Sequence, residues 1–345
     1  MAVYNQSNQS NQSNQSNQSN QSNQSNQSNI ELAHAGQNTS IALSQALHEV
    51  ASAMSTPAAV PLTKADLQPR PNLDSLNTRH RHELLVQDLL QGLDVTSSLP
   101  NVVVEDEKGP IAHIDIDQTC EFWERQLAAL HGMVPSRERR MGEIALQQTD
   151  ILSFLALGVR LNPRSHPWTM LLLSVVHEAV SRIEFKVKFL FSHPRPVDLD
   201  PSIAPIIQTP AHSAFPSGHA TEASCIAEII NALFGPRVGT ISRKMVVRIA
   251  ENRCIAGVHF PADNTAGVKL GLGLAKVFVE RLKGDSTEVM DASGQDWDTV
   301  AQRLRADPAG NGPAHPLKLP KAHNLRWLME KVQVETGLRL HSETA

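Results

Sequence analysis

From Thr78 onward, apolar residues recur every three or four positions, the spacing that places them on one face of an α-helix. The pattern predicts helices over Thr78–Leu93, Ile116–Leu130, Ser136–Leu161, Pro167–Phe191, Ser217–Phe234, Ile241–Ala256 and Pro261–Lys283, with a shorter pair over Trp297–Arg305 and His323–Thr336. In the fourth of these, Val176, Val180, Ile183, Val187 and Leu190 keep helical spacing up to His193-Pro194, where the ring of proline stops the helix. Strand-like alternation is confined to Asn101–Glu105. Gly267, Gly271 and Gly273 fall inside a predicted helix, and with no strand before them they read as places where helices approach closely, not as a phosphate loop. The fold class expected is all-α, a helical bundle with its site between helices.

Upstream the pattern disappears. The triplet Asn-Gln-Ser repeats without interruption from Asn5 to Ser28, a polar tract that cannot bury a core. Polar and proline-rich sequence continues to about Arg70, with one helix expected over Thr39–Met54. The chain is therefore read as a low-complexity tail, residues 1–70, and a single helical domain, residues 71–345.

Composition narrows the function classes. With 345 residues, 41% hydrophobic and a net charge of −4, the chain does not read as a nucleic-acid binder. Cys120, Cys225 and Cys254 are too few and too scattered for a disulfide framework, and no pair has zinc-ligand spacing. The apolar runs Ile151–Val159 and Met170–Val176 are far shorter than a membrane span, and no basic-then-apolar leader is visible. The expectation is a cytoplasmic or otherwise soluble protein, with no membrane partner.

Chemistry concentrates in three stretches. Lys188 stands near the end of one predicted helix and Arg195 just beyond it, a point charge and a rigid fork that can converge on one anion. Pro216-Ser217-Gly218-His219 opens the next helix. Ser217 suits an N-cap, the free N–H groups of a helix start suit an oxyanion, Gly218 allows close approach to the backbone, and His219 in the first turn suits acid–base work. Arg253 lies on the following helix, and His259 precedes Asp263 by four residues, so the carboxylate can fix the ring's tautomer and leave the other nitrogen as nucleophile or ligand. Taken singly, these are a solvated basic helix end, an ordinary capped helix and a structural His–Asp pair.

Taken together they resemble the signature of the vanadium haloperoxidase and type 2 phosphatidic acid phosphatase superfamily: Lys188, six residues, Arg195-Pro196; Pro216-Ser217-Gly218-His219; and Asn252-Arg253, five residues, His259, three residues, Asp263. Asn252 stands where that signature has serine, which bears on the hydrogen bonding around Arg253. The resemblance covers residues 167–283. It implies that Lys188, Arg195 and Arg253, with Ser217 and the Gly218 N–H, hold the oxygens of vanadate or phosphate. It implies further that His259 bonds vanadium or forms a phosphohistidine, that Asp263 orients it, and that His219 is the acid–base group.

Ala220 after the second motif, His212 five residues before Ser217, and the lack of a spanning segment favour the haloperoxidase branch. The expected activity is oxidation of halide, bromide first, by hydrogen peroxide on vanadate held at His259, with halogenation of a small organic acceptor and His212 helping with halide or protons. A homodimer is a further expectation from the resemblance. The alternative is a soluble phosphatase that needs no cofactor. A phosphate- or vanadate-binding protein would not need His219 or an Asp-backed His259.

Overall fold

A computed structural model of the chain describes residues 72–284, 289–290, 294, 296–306, 320 and 322–337, together with Gln45, His48 and Glu49. The chain divides into two compact units, Met1–Ser75 and Leu76–Ala345. In the first, a 3-10 turn at Leu73–Ser75 is described, and Gln45, His48 and Glu49 are helical. The rest of the expected Thr39–Met54 helix and the Asn-Gln-Ser tract lie outside the described residues.

The second unit is mainly helical. Its elements are α1 (Thr78–Leu90), a three-stranded sheet β1 (Asp94–Ser98), β2 (Asn101–Asp106) and β3 (Gly109–Asp115), then α2 (Cys120–Met133), α3 (Arg137–Thr149), α4 (Ile151–Ala156), α5 (Pro167–Phe191), the one-turn α6 (Pro196–Leu199), α7 (Gly218–Phe234), α8 (Pro236–Ile255), α9 (Pro261–Lys283), α10 (Trp297–Arg305) and α11 (His323–Thr336). Proline occupies the first turn of α5, α6, α8 and α9, where its missing N–H costs nothing.

The centre of the unit is α7, which packs on α8, α9 and α5. It is buried nearly all round, and its residues are mostly small: Ala220, Thr221, Ala223, Ser224, Cys225 and Ala227. Gly267 and Gly271 of α9 face this helix. A Cβ on either would overlap the backbone oxygen of Ser217 or of Thr221, so the closeness of α7 and α9 depends on glycine. Gly273 meets the Ile111 carbonyl of β3 in the same way, as the close-approach reading of these glycines anticipated.

The sheet is the largest departure from the expected elements. It is an antiparallel meander, β1-β2-β3, with Val102, Val104, Ala112 and Ile114 buried on one face against the helices. Only β2 carried a legible alternation. β1 reads Asp-Val-Thr-Ser-Ser and is almost wholly exposed, so its apolar signal is one valine. Two helix predictions also shift for local reasons. The expected Ser136–Leu161 helix breaks at Asp150, whose carboxylate accepts from Ser153 N at 2.9 Å and starts α4 afresh. The expected Ile116–Leu130 helix begins only at Cys120, because Asp117 accepts from Thr119 N at 2.7 Å in a turn.

Candidate active site

The ends of α5, α7, α8 and α9 and the loop after α5 bring the three motifs together. The αL residue Ser192 ends α5 (φ 48°), which leaves Lys188 in the last turn, 1% exposed. Its Nζ donates to the carbonyl oxygens of Ser213, at 3.2 Å, and Pro216, and lies 3.8 Å from Glu184 Oε1. Arg195 is buried and spans the site: Nη1 donates to the Val258 carbonyl at 2.7 Å and to His259 Nε2 at 3.1 Å, while Nε and Nη2 donate to the His212 carbonyl. Arg253, also buried, donates through Nη2 to the Ile144 carbonyl at 3.1 Å.

His259 and Asp263 form the expected pair. His259 Nδ1 donates to Asp263 Oδ2 at 2.9 Å, and the same oxygen accepts from Phe260 N at 2.9 Å. The proton is therefore on Nδ1, and Nε2 presents its lone pair to Arg195. Burial, reinforced by Arg195 and Lys188, keeps this imidazole well below its usual range, so the ring is neutral. Burial pushes the Asp263 carboxyl up to about 7, opposed by the Phe260 N–H and by Lys188 and Arg195.

Ser217 takes the N-cap position of α7, but its hydroxyl caps nothing. Its backbone N–H donates instead to the Asp263 carbonyl at 2.9 Å, tying the starts of α7 and α9 together. Among the described residues Ser217 Oγ and Arg253 Nε are buried with no hydrogen-bond partner, two donors left over beside the cations. That surplus of buried donors fits an incoming tetrahedral oxyanion.

His219 is held from outside the motifs. Its Nε2 donates to the Gln147 carbonyl at the end of α3, at 3.0 Å. Burial, then the charge of Arg253, pushes it down to about 3. Asn252 explains the departure from serine: its amide donates to Gln147 Oε1 at 2.8 Å and Glu143 Oε2 at 3.2 Å, and its carbonyl accepts from Arg140 at 3.2 Å. A serine hydroxyl has neither the reach nor the two donors for this, so the asparagine binds α8 to α3.

Three contributors were absent from the sequence reading. The carbonyls of Ile144 and Gln147 carry no side-chain signal. Glu184 was readable as an i, i+4 partner of Lys188, and its carboxylate also abuts Gly218. Burial pushes Glu184 up to about 8 and Lys188 down to about 8. His212, placed in the site by sequence, is an exposed residue against the outer side of Arg195, its Nδ1 accepting from Nη2 at 3.2 Å. Cys120, Cys225 and Cys254 are all free thiols.

Buried cations around a carboxylate-backed histidine are a constellation suited to binding an oxyanion. Residues 166–284 match the model of the PAP2 superfamily, a stretch that holds all three motifs. Over that stretch the chain is similar to the PAP2 superfamily. Among similar curated proteins are the decaprenylphosphoryl-5-phosphoribose phosphatases of two Mycobacterium tuberculosis strains, CDC 1551 / Oshkosh and ATCC 25618 / H37Rv. Each is 35% identical over 71 residues, 21% of this chain and 38% of the relative. The chain thus spans well under half the length of these relatives. A transmembrane PAP2-type phosphatidylglycerolphosphate phosphatase of Bacillus subtilis is similar in structure, with a TM-score of 0.38 and 23% identity over 47% of this chain and 86% of the other.

These findings correct the haloperoxidase expectation, since the similar curated proteins are phosphatases. Halide oxidation by peroxide, and with it vanadium on His259, is set aside. The features that had favoured it were indirect. Ala220 is wholly buried in the packing of α7, so its identity answers to the neighbouring helices. The expectation of a cytoplasmic or soluble protein is not kept either. Among the described residues no helix is long and apolar enough to cross a membrane.

Proposed function

We propose that the site hydrolyses phosphomonoesters through a phosphohistidine at His259. One observation carries the reading: His259 holds its proton on Nδ1 against Asp263 and keeps the Nε2 lone pair among Lys188, Arg195 and Arg253. A neutral, desolvated imidazole with a fixed tautomer is a nucleophile, and fixed cations around it stabilise the charge that develops on the phosphoryl oxygens. Lys188, Arg195 and Arg253 take those oxygens, and Ser217 Oγ, Arg253 Nε and the Gly218 N–H at the start of α7 complete the grip.

Nε2 attacks phosphorus, and the bond from phosphorus to the leaving oxygen breaks. His219 gives that oxygen a proton. Because Nε2–H is engaged with Gln147, Nδ1 is the nitrogen left to move protons. The proton it delivers arrives with the substrate as the ester monoanion. Burial and then the field of Arg253 keep the free imidazole acidic, and the bound anion offsets the second of these. Water then attacks phosphorus and loses a proton to His219. The N–P bond breaks with its electron pair returning to Nε2, and phosphate leaves with the proton from His219.

This chemistry uses groups of the chain itself, and vanadate serves as an inhibitor that mimics the phosphoryl group. His212 steadies Arg195. The substrate class is a phosphomonoester on a lipid-carried leaving group, the class in the name of the mycobacterial relatives. The test is hydrolysis of p-nitrophenyl phosphate by the full chain, with an alkaline quench to trap an acid-labile phosphoenzyme. Vanadate competes with substrate, and His259→Ala abolishes both turnover and the trapped species. Turnover that survives His259→Ala rules the mechanism out.

A further inference from the structure

The outer face of α5 carries a second feature beside the site. Phe185 and Phe189 lie one helical turn apart and are 57% and 79% exposed, the fully exposed aromatic rings among the described residues. Between them Lys186 is exposed, and half-buried Arg182, paired with Glu83 and Glu178, extends the same stripe by a turn. From Phe185 to Val197 the chain has no carboxylate, and Glu184 is buried on the opposite side. The stripe is therefore aromatic and basic. A single exposed phenylalanine is ordinary, but two stacked on one helix turn keep a contiguous apolar area in water.

The stripe is also continuous with the site. The Phe185 ring lies 5.9 Å from that of His212, and His212 in turn accepts from Arg195. We propose that this stripe docks on the anionic surface of a lipid bilayer, with Phe185 and Phe189 entering the interface and Lys186 facing the headgroups. Rings at the boundary and a lysine among anionic headgroups are the pairing that interfacial helices use; the carboxylates of Glu83 and Glu178 are taken up by Arg182, and from Phe185 to Val197 there is none to oppose Lys186. Docking in this orientation brings Arg195 and its neighbours close to phosphates at the membrane surface. It replaces the expectation, from sequence, of no membrane partner.

Flotation of the full chain with vesicles tests this, using phosphatidylcholine alone and phosphatidylcholine mixed with phosphatidylglycerol. The wild-type protein floats with the mixed vesicles and less with the neutral ones. Phe185→Ser with Phe189→Ser lowers partitioning about tenfold or more, the loss expected for two rings leaving an apolar environment. Lys186→Gln lowers it about fivefold on the mixed vesicles and leaves the neutral ones unchanged. Failure of the wild type to float overturns the proposal, as does a double variant that floats equally well. A dimer that dissociates on dilution and is lost in the double variant, without vesicle binding, assigns the stripe to a second copy and overturns it too. Vesicle binding is independent of the chemistry: p-nitrophenyl phosphate turnover stays intact in the double variant, and its absence in the wild type counts against the phosphatase reading alone.

Discussion

His259 and His219 lie among the same cations and are held in opposite ways. His259 is fixed by Asp263, four residues on, within the first turn of α9. His219 is fixed by a main-chain carbonyl 72 residues earlier, at the far end of α3. The first arrangement is written in one short motif and sets a tautomer by local geometry. The second exists only once α3 has packed on α8, and α3 lies outside the stretch that matches the superfamily. A family motif can thus contain everything that orients one histidine and only part of what orients the other.

The comparison breaks most severely at Asp263. Asp263→Asn keeps the shape and turns the ring's preferred tautomer around, so turnover of p-nitrophenyl phosphate falls by on the order of 10³–10⁴-fold with little change in melting temperature. A loss below tenfold would mean that the pair is structural. Gly271→Ala attacks the spacing of the two histidines, since its Cβ overlaps the Thr221 carbonyl and Ser224 Oγ of the helix that carries His219. Urea unfolding should show a loss of about 1–3 kcal/mol, the usual cost of overpacking, with a fall in turnover that Gly142→Ala, in open space, does not share.

Asn252 sharpens the other half. Asn252→Leu strands the side-chain oxygen of Gln147, takes one donor from Glu143, which keeps Arg248, and lets the end of α3 drift from His219. The expected result is about a tenfold fall in kcat with a smaller change in KM, and about 1–3 kcal/mol of stability lost for the orphaned polar groups. An Asn252→Ser variant with no loss would deny the tie any special geometry. The mildest effect is on pH dependence. Lys188, pushed down to about 8 by burial, loses its charge as pH rises through that value, so kcat/KM falls on the alkaline side. The acid limb belongs to Asp263, pushed up to about 7 by burial, because protonating it removes the acceptor that fixes His259 Nδ1–H, while His259 itself, well below its usual range, adds none. A kcat/KM that stays level to pH 9 would take Lys188 out of the anion's grip.

The amino-acid sequence by itself determined the helices that end on strong punctuation. α5, α9, α10 and α11 begin and end where periodicity, proline and glycine placed them, because those signals act within a turn or two. It also placed the three motifs close enough in character to be read as one anion site, since spacing along a helix and past its end fixes where Lys188, Arg195, His259 and Asp263 can reach. Tertiary structure alone decided the rest. The exposed β1 joins the sheet through pairing with β2, although its own residues carry almost no alternation. Ile144 and Gln147 enter the site as carbonyls, which every residue has and no pattern marks. Glu184 comes to lie against Gly218 because α5 packs on α7, and the glycines of α9 make that bundle tight enough. Backbone groups and close approaches are properties of packed elements, so only the folded chain reveals them.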